Sequence, residues 1–170
     1  MSNLSAKASL ERAQRLFLEK PAAAKKPNAM ATAVWRDGLV CEVAGPGSER
    51  ATTDMPEPMG GGGTGSNPGW LLRAGIASCA ATAIAMRAAM QGIALRTLEV
   101  NVQSESDARG LVGIPDVPTT LGNMRMSIRI AADGADEATL RELAAWGEAN
   151  SPVSCTLRDR PEVAVEIEVA

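Results

Sequence analysis

Apolar and polar positions along the chain change period several times, and the changes divide it into elements. Leu4, Leu10, Leu16 and Phe17 give an imperfect helical stripe over residues 4–19, which Pro21 ends. A basic linker follows over residues 22–28. From residue 31 to 54 the period shortens to that of strands. Val34 and Trp35 lead into an Arg36-Asp37-Gly38 turn, and Leu39, Cys41 and Val43 alternate with Val40, Glu42 and Ala44. Gly45-Pro46-Gly47 turns the chain into a third strand near residues 51–54, completing an antiparallel meander. Residues 55–66, with Pro56, Pro58 and the run Gly60–Gly63, read as a flexible loop.

Asn67-Pro68 is a helix start, an N-cap followed by proline at the first helical position, and Gly92 is a stop. The helix between them spans roughly 35 Å at ~1.5 Å per residue. Its centre is Ala, Gly, Ser, Cys, Thr, Ile and Met without a polar stripe, so it is expected to be buried on most sides. Leu98, Val100 and Val102 define a strand, residues 107–122 a glycine- and proline-rich loop, and Met124, Met126, Ile128 and Ile130 another strand. A helix is expected over residues 136–149, with Leu140, Leu143, Ala144 and Gly147 inward, then one helical turn opened by Ser151-Pro152. Val163, Val165, Ile167 and Val169 alternate as a final strand, whose Glu162, Glu166 or Glu168 can pair with Arg125 and Arg129. Runs of strands separated by helices, without βαβ alternation, indicate an α+β fold of antiparallel sheets around a long central helix. Residues 1–29 form a helix and linker, and residues 30–170 the main domain.

Composition narrows the chemistry. The 170 residues are 45% hydrophobic, but aromatics are only Phe17, Trp35, Trp70 and Trp146, so Ala, Val, Leu, Ile and Met fill the core. A partner subunit often completes such a core. The net charge of −3, with both signs interspersed, offers no basic face for nucleic acid. The charge-free stretch Ala74–Met86 is too short to span a bilayer, and the N-terminus lacks a signal-like apolar segment. With no histidine, the commonest general base and metal ligand is missing. Cys41, Cys79 and Cys155 lie far apart, without zinc spacing, and an odd count fits free thiols in a reducing cytoplasm. No metal or cofactor is expected.

Gly60-x-Gly62-x-x-Gly65 matches a dinucleotide fingerprint in form only, because prolines precede it and the surroundings are antiparallel. No Lys follows the glycines, which excludes a P-loop. Cys41, in phase with Leu39 and Val43, reads as a buried structural thiol. Cys79, among alanines, reads as core or as a reactive thiol; the second requires a cation from elsewhere in the fold. Cys155, just past a helix start, reads as half-buried or as a thiolate site.

The run Gly60-Gly61 … Ser66-Asn67-Pro68-Gly69-Trp70-Leu71-Leu72-Arg73-Ala74-Gly75-Ile76-Ala77-Ser78-Cys79 resembles the first signature of the OsmC/Ohr family, the osmotically induced and organic-hydroperoxide-resistance proteins. Ser151-Pro152-Val153-Ser154-Cys155-Thr156-Leu157 resembles its second motif, and the order of elements agrees over residues 31–169. The resemblance implies an intertwined homodimer that reduces organic hydroperoxides. Cys79 would attack the terminal peroxide oxygen and become a sulfenic acid. A second cysteine would condense with it, and a dithiol would restore both. An arginine, matched by Arg36, would hold the first thiolate, oriented by a glutamate. Two positions depart from the pattern. The second cysteine aligns with Ser151 rather than Cys155, which lies about one helical turn further on and is the candidate resolving thiol, and the glutamate position is Gly69, with Glu57 a candidate substitute carboxylate. The alternative implied by these departures is a dimeric module that binds an apolar ligand or senses oxidants through Cys79 without turnover.

Overall fold

A computed structural model describes residues 3–169, with side chains from residue 6 onward. Leu4, the first residue of the expected stripe, has its side chain outside that range. The chain divides into two compact units. One comprises Met1–Lys7, Ile76–Asn101 and Ser127–Ala170; the other comprises Ala8–Gly75 and Val102–Met126.

The element order is α1 (Asn3–Glu19), β1 (Thr32–Asp37), β2 (Val40–Ala44), β3 (Arg50–Thr53), α2 (Pro68–Gln91), β4 (Leu95–Glu105), α3 (Ala108–Leu111), β5 (Gly122–Ala132), α4 (Glu137–Ala149) and α5 (Pro152–Asp159). It is an α+β arrangement of two antiparallel sheets, ordered β1-β2-β3 and β4-β5, with one long helix.

The meander forms as the alternation predicts. Thr32 pairs with Ala44 and Trp35 with Cys41, and β3 continues from Cys41↔Thr53 to Ala44↔Arg50. The register shifts between Trp35 and Asp37, so Arg36 lies in a bulge of β1 rather than in the turn, which Gly38 makes at φ +52°. Cys41 is half-buried, not sealed in a core.

The loop before α2 is tied down, contrary to the flexible loop expected from its glycines. Asp54 is 2% exposed and accepts from Met55 N (2.7 Å), Gly62 N (3.0 Å), Thr64 N (3.0 Å) and Thr64 Oγ1 (2.9 Å). Those bonds, Thr64 N foremost, hold its carboxyl below the ordinary value of 3.8 against the opposing effect of burial. Gly61 is required here, because a Cβ would lie 1.9 Å from Met55 O. The glycine run is therefore folded around a carboxylate, which takes the N–H groups of Gly62 and Thr64.

Helix α2 starts and stops where the sequence indicates. Asn67 Oδ1 accepts from Gly69 N at 2.8 Å, and Gly92 takes φ +73°. Such a cap contributes about 1 kcal/mol. In the first unit, Ile76, Ala80, Ile84 and Ala88, four residues apart, make one buried stripe. Ile84, Ala88 and Leu143 of α4 form the core cluster, with Ile93, Leu95, Leu98, Val100, Ile128 and Ile130 packed on it. At Gly147 of α4 a Cβ would meet Ile84 Cγ1 at 2.2 Å and Ile84 N at 2.8 Å, so the two helices cross at that glycine.

The expectation that α2 is buried on most sides does not hold for the single chain. Leu72, Ser78, Thr82 and Met86 are exposed, because one chain supplies a core to only one stripe of the helix. The charge-free stretch Ala74–Met86 is part of the longer helix α2, Pro68–Gln91. At 24 residues it is long and apolar enough by length and composition alone, a test that the central helix of a globular protein also passes. The alternating tail forms no strand either. Residues 160–169 are irregular, with Val163, Val165, Ile167 and Val169 at least 76% exposed. The described chain presents no strand paired with them, and Arg129 faces Glu99 of β4 (3.9 Å) instead of the tail glutamates.

Candidate active site

Cys79 lies on α2 in the first unit, one residue before buried Ala80, and is half-buried. With Thr82, Ala83 and Met86 it occupies i, i+3, i+4 and i+7, which is one helical face. Trp146 and Asn150, four residues apart at the end of α4, and Pro152 of α5 close the other side. Together with Ser78 these residues line a groove of about 410 Å³, mostly apolar. The Arg87 guanidinium stacks over Trp146 at 4.7 Å from the ring centroid and fixes that wall. Among the described residues no side chain hydrogen-bonds Cys79 Sγ.

Cys155 belongs to α5 in the same unit but does not line this groove. Its sulfur faces the corner between α4 and α5. The thiol donates to Ala149 O at 3.2 Å, and Arg158 Nη2 donates to Sγ at 3.2 Å. All three cysteines are free.

Ser151, the N-cap of α5, is fully buried, and its hydroxyl makes no capping bond. Both Ser151 Oγ and Ser154 Oγ are buried without a hydrogen-bond partner among the described residues. An orphaned hydroxyl of this kind costs about 1–3 kcal/mol.

Arg36 belongs to the second unit, which is described by itself. Its guanidinium grips Glu42 Oε2 through Nε (2.8 Å) and Nη2 on the neighbouring strand. Both partners are more than half exposed. The carboxylate that orients Arg36 is thus Glu42, which the motif did not indicate, and not Glu57, which opens a short 3-10 turn. The signal was present in the register, since Glu42 pairs with Val34 two residues before Arg36. At Gly69 a Cβ would lie 3.6 Å from Arg73 Nη1, which donates to Ser104 Oγ at 3.2 Å. A glutamate in that position would have met Arg73. No group of three or more metal-ligating side chains is found among the described residues.

These features define a class: an α+β protein whose long helix carries a half-buried thiol in an apolar groove. The family model described as "OsmC-like protein" matches residues 60–166, more than half of the chain, and the chain belongs to this family. Solved structures share the fold. An organic hydroperoxide resistance protein OsmC from Legionella pneumophila is similar at 24% identity and TM-score 0.60, over 79% of this chain and 91% of that one. An OsmC-like protein from Mycoplasma pneumoniae is 18% identical at TM-score 0.66, over 79% and 89%. An OsmC-like protein of unknown function from Vibrio cholerae is 10% identical at TM-score 0.64, over 77% and 94%. No curated protein sequence matches the chain.

Proposed function

We propose that this protein is a thiol-dependent peroxidase that reduces organic hydroperoxides through Cys79. The observation that carries the reading is the groove itself, in which a half-buried sulfur shares an apolar wall with Thr82, Ala83 and Met86. Such a groove suits a hydroperoxide with an alkyl or aryl body. The thiolate attacks the distal peroxide oxygen: an S–O bond forms, the O–O bond breaks, and the alkoxide leaves and takes a proton. Cys79 is left as a sulfenic acid. A dithiol reductant supplies two electrons and two protons, releasing water and restoring the thiol. No metal or cofactor enters this cycle. Arg36, held by Glu42, is proposed as the cation for Cys79, supplied within a homodimer.

The exposed apolar surface favours that homodimer. Leu72, Met86 and Trp146 are all exposed on the single chain and need a cover. The cytoplasm, where thiols stay reduced, is the proposed compartment.

Multiple-turnover loss of tert-butyl hydroperoxide with a dithiol reductant tests the activity. Wild type should turn over many times its own concentration, and Cys79→Ser should not. Equal rates in both proteins would remove Cys79 from the mechanism.

A second reading is a non-catalytic oxidant sensor or small-ligand module. The specific observation for it is that no side chain hydrogen-bonds Cys79 Sγ among the described residues. A single stoichiometric oxidation without turnover would select it.

A further inference from the structure

Trp146 is the only aromatic residue among the side chains that line the Cys79 groove, and none of those side chains is charged. Its place is set by its neighbour in the chain. Gly147 abuts the α2 backbone, where a Cβ would lie 2.8 Å from Ile84 N, so the residue before it is brought beside α2. Asn150 Nδ2 donates to Trp146 O at 2.8 Å and ties down the last turn of α4.

Two further features suit this wall to an aromatic ligand. The Arg87 guanidinium lies over the indole at 4.7 Å from the ring centroid, so one face is occupied and the ring is held before any ligand arrives. A ring fixed in advance loses little rotamer freedom on stacking. Met86, on the α2 side, adds a polarisable thioether that favours contact with an aromatic ring. Both side chains keep accessible surface, 39% for Trp146 and 45% for Met86. At about 410 Å³ the groove is within the size range of small-molecule sites.

We propose that Trp146 is the specificity-determining residue of the groove, selecting hydroperoxides with a neutral aryl body over alkyl ones, and that Arg87 is its positioning residue. This selection rests on the peroxidase reading for the reaction, though not for the binding of the aryl body. The step at the Cys79 sulfur is the one already given. The aryl body stacks offset or edge-on against the indole. An aromatic pair of this kind is worth about two- to tenfold in binding beyond the area it buries. A contact made equally in the ground state and the transition state lowers KM and leaves kcat as it was.

The test compares cumene hydroperoxide with tert-butyl hydroperoxide under multiple turnover with a dithiol. Trp146→Leu keeps an apolar side chain and removes the ring. The cumene to tert-butyl ratio of kcat/KM should fall about fivefold in this variant, through KM rather than kcat. Arg87→Ala should lower the ratio by a smaller factor, and Arg87→Lys should restore it, because an ammonium also binds an indole face. The ratio is read within one protein, so loss of folded or associated protein lowers both rates together. An unchanged ratio in Trp146→Leu would overturn the proposal. A second measurement uses the wild-type protein and needs no turnover. Cumyl alcohol, the product of cumene hydroperoxide, should slow iodoacetamide alkylation of Cys79 at lower concentration than its cyclohexyl analogue does. The saturated ring is at least as apolar, so this order isolates stacking, and equal protection would overturn the proposal. Stronger protection by cumyl alcohol in a protein without Cys79-dependent turnover would support the aryl site and bring down only the peroxidase reading.

Discussion

Asp54 accepts four hydrogen bonds while almost wholly removed from solvent, and three of the donors are backbone N–H groups of the loop that follows it. Its pKa in the folded protein lies below the ordinary 3.8, so its contribution is complete above that value and is lost as pH falls through the folded pKa. Asp54→Asn is expected to lower the urea midpoint at pH 7, with the gap to wild type closing in acid. A gap that stays constant with pH would contradict the clasp. Gly61 and Gly62 make a paired control. A Cβ at Gly61 would overlap Met55 O, whereas one at Gly62 finds ordinary contacts at 3.4 Å. Gly61→Ala should cost about 1–3 kcal/mol in a denaturant titration and Gly62→Ala far less. Sequence could not reveal this clasp. Glycine spacing reports freedom in the unfolded chain, while the bonds that remove it come from a side chain eight to ten residues away. The place of Cys79 on α2 was legible because the helix start and stop are written in the sequence. Arg158 was not, because its contact with Cys155 depends on where α5 turns against α4.

Helix α2 was readable from its ends: Asn67 caps it and Gly92 closes it. Its crossing with α4 was only half readable. The sequence placed Gly147 on the inner face of its helix, but not against Ile84. Gly147→Ala places a methyl against Ile84 Cγ1 and its backbone. It should destabilise the protein by about 1–3 kcal/mol, measured by thermal or urea unfolding. A neutral outcome would mean that the two helices separate at little cost. The tail shows the limit of period-two reading. Val163, Val165, Ile167 and Val169 alternate cleanly, yet alternation states which face a strand would bury, not which edge it would bond. In the described chain those residues remain irregular and exposed.

At the scale of the whole molecule, the fold class, the two antiparallel sheets and the long helix follow from the sequence, and the family match over residues 60–166 agrees with them. What one sequence cannot display is the surface left uncovered by one chain: Trp35, Trp70, Leu72, Met86 and Trp146 are all exposed. Burying such surface is the principal drive for association. Sedimentation equilibrium is expected to return about twice the 17.6 kDa of the chain. A monomer at micromolar concentration would remove the proposed route by which Arg36 reaches Cys79.

The central claim is that the Cys79 sulfur takes the peroxide oxygen. Its most direct measurement is peptide mapping after one equivalent of cumene hydroperoxide with dimedone present and reductant absent. The account predicts a dimedone adduct on the peptide that carries Cys79. Hydroperoxide consumed while that peptide stays unmodified would contradict it.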